Sequence, residues 1–154
     1  LEKDPNNAVL HLIAANTLDN MANPKGADGK DLEKPANFSE LFAKAEEHYK
    51  KTVDLKPSNV EYSFNALYNL GALYYNFGTY TYNKEMNDAT IAKLAQKQKE
   101  INTKVNEQYK KAIPYFEQAL QIKGDDIRYV YQGIHMLFMD NQAKKMGKRR
   151  EKNQ

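Results

Sequence analysis

Three histidines, His11, His48 and His135, are the side chains best suited to proton transfer or metal ligation near neutral pH. Helix-borne zinc motifs set a second histidine one turn away, so that two donors converge on one ion. No histidine here has a histidine or carboxylate at that spacing. Glu46-Glu47-His48 sets its carboxylates beside the ring in sequence and not one turn away. The absence of cysteine removes disulfides, thiolate nucleophiles and thiolate metal sites. There is no Gly-rich phosphate loop and no nucleophile elbow. Asp125-Asp126 lies in a turn, where helix capping accounts for paired carboxylates. Asp28 and Asp31 sit in a Gly-containing stretch but lack the Asp/Asn alternation and closing Glu of a calcium loop. The sequence therefore predicts no catalytic residue, no metal site and no cofactor, and the expectation is that the chain is not an enzyme.

The elements around these residues read as helices joined by short turns. Residues 8–21 carry Val9, Leu10, Leu12, Ile13 and Leu18, with Asn7 as a natural N-cap. Residues 22–36, rich in Pro, Gly and Asp, read as a loop. A helix over 38–56 buries Phe38, Leu41, Phe42, Ala45, Tyr49, Val53 and Leu55, and Asn37 with Glu40 predicts a capping box. Asn59 can cap a third helix that runs to Phe77 and stops at Gly78, and residues 79–87 read as a connection. From 88 onward Ile91, Leu94, Ile101, Val105, Ala112 and Ala119 recur at a period near 3.5, with Gln98 and Gln108 interrupting the seam. This predicts one long helix, bent at Pro114, with a break just before Pro114 as the alternative. Residues 127–139 read as another dense apolar helix, and 142–150 as a short closing one.

Several of these residues together resemble the tetratricopeptide repeat (TPR). Residues 67–78, LYNLGALYYNFG, are similar to its first helix: Leu67, Leu70 and Tyr74 make one stripe, and Gly71 allows a close approach. Ala45, Tyr49, Thr52, Leu55 and Pro57 resemble its second helix, as do Ala112, Phe116, Ala119, Leu120 and Ile122, with Gly124 where Pro is usual. Asp4-Pro5-Asn6-Asn7, Pro57-Ser58-Asn59 and Gly124-Asp125-Asp126 mark the turns between units. These turns lie much farther apart than the family's roughly 34 residues, so each full unit holds an insertion. The resemblance implies an all-α fold, a right-handed superhelical solenoid of antiparallel helix pairs. Its units fall at about 8–59, 60–126 and 127–150 of a single domain. Leu1-Glu2-Lys3 looks like the tail of a preceding helix, and the chain reads as a fragment of a longer protein.

What the resemblance implies about function is binding. First helices of successive TPR units line a concave groove. Carried over position by position, that groove would present Leu12, Asn16, Asn65, Tyr68, Asn69, Tyr75, Asn76, Arg128, Tyr131, Gln132 and His135. Asn and Gln can bond both edges of an extended backbone, and Tyr adds area with a polar tip. Some of these tyrosines could equally be core between units. In the carboxylate-clamp branch of the family, Asn16, Asn69 and Arg128 stand at matching places, whereas Leu12 and Gln132 replace two of its three cations. That departure removes two charge-assisted bonds, and with them the expected grip on a C-terminal carboxylate. The implied partner is a protein or peptide, with no small-molecule substrate.

The chain's 154 residues suffice for a core, and its seventeen aromatics are eleven Tyr and six Phe. The net charge of +3 is misleading, because residues 142–154 hold Lys144, Lys145, Lys148, Arg149, Arg150 and Lys152 against Glu151 alone. The body is close to neutral, and the basicity is a tail. A tail of this kind offers a second reading, binding of nucleic acid or an anionic surface, although most such tails are simply solvated. No apolar run is long enough to cross a membrane. The insertions and the Asn-, Lys- and Tyr-rich composition resemble bacterial envelope TPR proteins, which suggests the periplasm or cell envelope, with the cytoplasm as the alternative.

Overall fold

Helical periodicity dominates the computed structural model, which describes residues 3–88, 91–124, 131–135 and 138, with 88 and 91–96 described by backbone alone. The elements are α1 (Ala8–Ala22), α2 (Phe38–Asp54), α3 (Val60–Asp88) and α4 (Ile91–Ile122), and residues 131–135 are also helical. Among the described residues there is no strand, only an isolated bridge between Lys25 and Asp31 in the first loop. The protein is all-α. No described helix is long and apolar enough to cross a membrane. The predicted closing helix over 142–150 and the basic tail lie outside the described residues.

Local signals set most boundaries. Asn7 caps α1 through its side chain, accepting from Leu10 N at 3.1 Å. Asn59 opens α3 in the same way, with Glu61 N at 3.0 Å from its Oδ1. Helix α2 ends two residues earlier than expected, at Asp54, and Lys56 follows in the left-handed region (φ 45°). The capping box at Asn37 does not form. With ψ at 22°, Asn37 has left the extended conformation that aims a cap at the helix, and Glu40 pairs instead with Lys44 at 2.6 Å.

The chain divides into two compact units, 1–73 and 74–154, with the boundary inside α3. In the first unit α1 and α2 are antiparallel: the Thr52 hydroxyl meets Ala8 O and His48 meets His11. Small residues line the seam, and Ala15, Ala45 and Thr52 have no exposed surface. Leu41, Leu67 and Leu70 are buried with them.

In the second unit residues 74–88 of α3 run antiparallel to α4. The ring of Tyr74 stacks on that of Tyr115, Tyr75 stacks on Tyr109, and Glu85 pairs with Lys104 at 3.0 Å. Ile101, Val105, Ala112 and Ala119, which the period places on one face of α4, are buried together with Phe116, while the side chains of Ile91 and Leu94 lie outside the described residues. Helix α4 passes through Pro114 without a break. Its last turns are antiparallel to the helical residues after 130, for Tyr131 bonds Glu117 and Lys110 sits over the ring of Phe138.

Gly78 overturns an expectation. The helix continues through it to Asp88, and residues 79–87 are helical. A Cβ at Gly78 would stand 2.9 Å from Tyr109 Cε1 and 3.3 Å from Gln108 Cβ. The glycine serves close approach between helices, with ordinary helical backbone, and the packing gained outweighs the roughly 1 kcal/mol of helix propensity lost. Gly78→Ala, which helix propensity alone would favour, should therefore lower stability by about 1–3 kcal/mol. Urea denaturation checks this, and an unchanged or raised midpoint would contradict the packing.

Candidate functional site

Helix α1 carries Asn16 and Asp19 on one face, and Asn23, its C-cap, follows one turn after Asp19. From α2, Tyr49 reaches them. The ring is 1% exposed, and the hydroxyl lies 2.9 Å from Asn16 Oδ1 and 3.2 Å from Asp19 Oδ2. One phenolic hydrogen serves two acceptors. From α3, Asn69 Nδ2 donates to the same Asn16 oxygen at 2.9 Å. Asn23 Nδ2 donates to Asp19 Oδ1 at 2.6 Å, and Lys34, reaching in from the loop, bonds Asn23 Oδ1. Lys34 also lies 5.3 Å from the Phe38 ring centroid, at cation–π distance.

Burial sets the electrostatics of this cluster. Desolvation raises the Asp19 pKa above the usual carboxylate value, against the hydrogen bonds from Asn23 and Tyr49 and the charge of Lys34. Desolvation likewise lowers Lys34, although Asp31 and Asp19 favour its charge. Tyr49 is raised, first by burial and then by the charge of Asp19 and the bond to it. Tyr49 thus stays a hydrogen-bond donor at neutral pH. The chemistry available here is hydrogen bonding between fixed partners.

The predicted groove residues fall into different surroundings. Asn16 and Asn69 are brought together, bonded to each other. Asn65 is exposed and Tyr68 half-buried, stacked on Phe64 at 6.2 Å. Leu12 needs correction: it is 7% exposed and belongs to the core, on the buried face it shares with His11 and Ala15. In the second unit Tyr75 is half-buried on Tyr109, whose hydroxyl lies 3.3 Å from Thr79 Oγ1, while Asn76 is exposed. The Tyr131 hydroxyl donates to Glu117 at 2.9 Å, and its ring lies 5.9 Å from His135. Gln132 and His135 are exposed. Arg128 lies outside the described residues.

Sequence reasoning missed Asp19, Asn23 and Lys34, and read Tyr49 only as a packing residue. The available signal was the hydroxyl, because a buried tyrosine needs a polar partner. It also kept His11 and His48 apart, whereas their Nδ1 atoms lie 2.8 Å from each other. Among the described residues no group of three or more His, Cys, Asp or Glu could hold a metal ion. Compared with family models, with curated proteins and with solved structures, the chain finds no match.

Two outcomes test the cluster. Tyr49→Phe removes the shared donor and should cost about 1–3 kcal/mol, measured by denaturant unfolding. Asp19 has a folded pKa above its unfolded one. Its contribution to stability is therefore fully present below the unfolded value, about 3.9, and is lost as pH rises through the folded value. The stability of Asp19→Asn relative to the native chain should shift in the variant's favour over that rise. A difference that stays flat from about pH 3 to pH 7 would contradict the burial of this carboxylate.

Proposed function

We propose that this chain is a TPR-like protein-interaction scaffold and that the face formed by α1 and the first half of α3 binds an extended peptide. One observation carries the repeat reading. The small–large–small triplets of the two second-helix signatures have the same burial: Ala45, Tyr49 and Thr52 are 0, 1 and 0% exposed, and Ala112, Phe116 and Ala119 are 0, 1 and 0%. Positions that a repeat would use for close helix contact are closed in both units. The Asn16–Asn69 bond adds support, since it joins the helices that would be the first helices of successive repeats.

The peptide reading rests on the side chains of that face. Asn65 is exposed, and Asn69 and Tyr68 are half-buried, so amides and a phenol stand one turn apart along α3. Such groups bond a main chain without selecting charge. With Leu12 in the core, the place of one clamp cation is filled by a buried apolar residue. The favoured ligand is an internal, near-neutral segment of a protein, not a terminal carboxylate.

Peptides selected from a displayed library on the 154-residue chain provide the test. Asn65→Ala combined with Tyr68→Ala should weaken their binding by about tenfold or more, with the circular dichroism spectrum unchanged. Removing residues 142–154, or raising the salt concentration, should have little effect. Loss of binding on tail removal together with normal binding by the Asn65/Tyr68 variant would replace this reading with the charged-surface one.

A further inference from the structure

His11 is 8% exposed and faces the half-buried His48 across the α1–α2 seam. Their Nδ1 atoms are 2.8 Å apart and their ring centroids 5.0 Å apart. The centroid separation is close to the nitrogen separation plus one ring radius at each end, so both nitrogens and both rings lie nearly in line. Each Nδ1 points at the other and not toward a common third point. This is the geometry of an N–H···N bond and not of two ligands converging on a metal.

The hydrogens follow from the partners. His11 Nε2 lies 2.9 Å from Pro5 O, and a carbonyl only accepts, so Nε2 carries hydrogen. In the neutral ring Nδ1 of His11 is then the acceptor, and His48 Nδ1–H is the donor. His48 Nε2 is left as the nitrogen that can take a proton. A first added proton there keeps the bond and adds charge assistance. A second must enter His11 Nδ1, where it sets one N–H against another and two positive charges in contact.

We propose that the His11–His48 pair is a proton-operated latch, which holds the Pro5 turn and the first turn of α1 on α2 and releases them when the pair takes up its second proton. Glu47, on α2 itself, favours the charged form of His48. From the N-terminal turn the pair meets the Pro5 carbonyl, while Asp4 is engaged by Asn7 at 3.1 Å. The Thr52 hydroxyl is directed to the carbonyls of Ala8 and His48. Burial, and next the charge of His11, hold His48 below the usual imidazole pKa. For His48 the sign is that of a base with a depressed folded pKa: its contribution to stability is present above the unfolded value, about 6.5, and lost as pH falls through the folded one. The first proton therefore already weakens the seam although the bond persists, and the second breaks the bond.

Imidazole nitrogen NMR of the intact chain at about pH 7.5 should show His11 with hydrogen on Nε2 and His48 with hydrogen on Nδ1. The amides of Leu10 and His11, which close on Asn7, should exchange at least about tenfold faster at pH 5 than at pH 7.5 after correction for intrinsic rates. His48→Gln keeps a donor facing His11 but cannot titrate, so it should remove most of that acceleration. The opposite tautomers, or exchange indifferent to pH in the native chain, would overturn the latch. An acceleration undiminished in the His48→Gln variant would assign the acid sensitivity to carboxylates and overturn it too. If that variant does not fold, the native tautomers and exchange rates decide the matter alone.

Discussion

A buried phenol that must find hydrogen-bond partners organises the first unit. Ala15, Ala45 and Thr52 have no exposed surface, so the α1–α2 seam excludes water. Tyr49 brings a hydroxyl into that dry seam, and an unsatisfied hydroxyl there would forfeit a desolvation cost of about 1–3 kcal/mol. Asn16 and Asp19 supply acceptors. Once Asn16 is fixed, its oxygen accepts from Asn69 and ties α3 to the hairpin. Once Asp19 is fixed, Asn23 and through it Lys34 attach the loop. Three helices and an insertion thereby share one register.

The second unit solves the same packing problem with different chemistry. The second half of α3 is rich in tyrosine, and its rings lie against α4 as stacks: Tyr74 on Tyr115 with the planes 3° apart, Tyr75 on Tyr109 at 5.2 Å. Ring faces need room, and Gly78 provides it where Tyr109 approaches the backbone. Aromatic area therefore does in this unit what the amide–carboxylate network does in the other.

Much of the helical layout was legible along the chain. Asn7 and Asn59 cap because a short polar side chain just before an apolar-periodic run can reach the first free N–H groups, a purely local requirement. The buried face of α4 followed from its period for the same reason. Gly78 was misread because a glycine after an apolar run has two uses, a left-handed stop or a close contact. The residue that selects between them is Tyr109, far away in sequence. Asn37 was misread because its cap depends on a ψ angle set by the incoming loop. Leu12 was placed in a groove by analogy of position, although its side chain lies on the buried face of α1.

That the protein is helical, where most helices begin, and which small and large residues close its seams were written locally along the chain. Those properties depend on neighbours within a turn or two, where periodicity and capping act. Folding alone brought the Tyr49 hydroxyl to Asn16 and Asp19, added Asn69 to them, and set His11 against His48. Each of these contacts links residues dozens of positions apart. The distances between them are fixed by how closely the small residues of the seam allow two helices to approach.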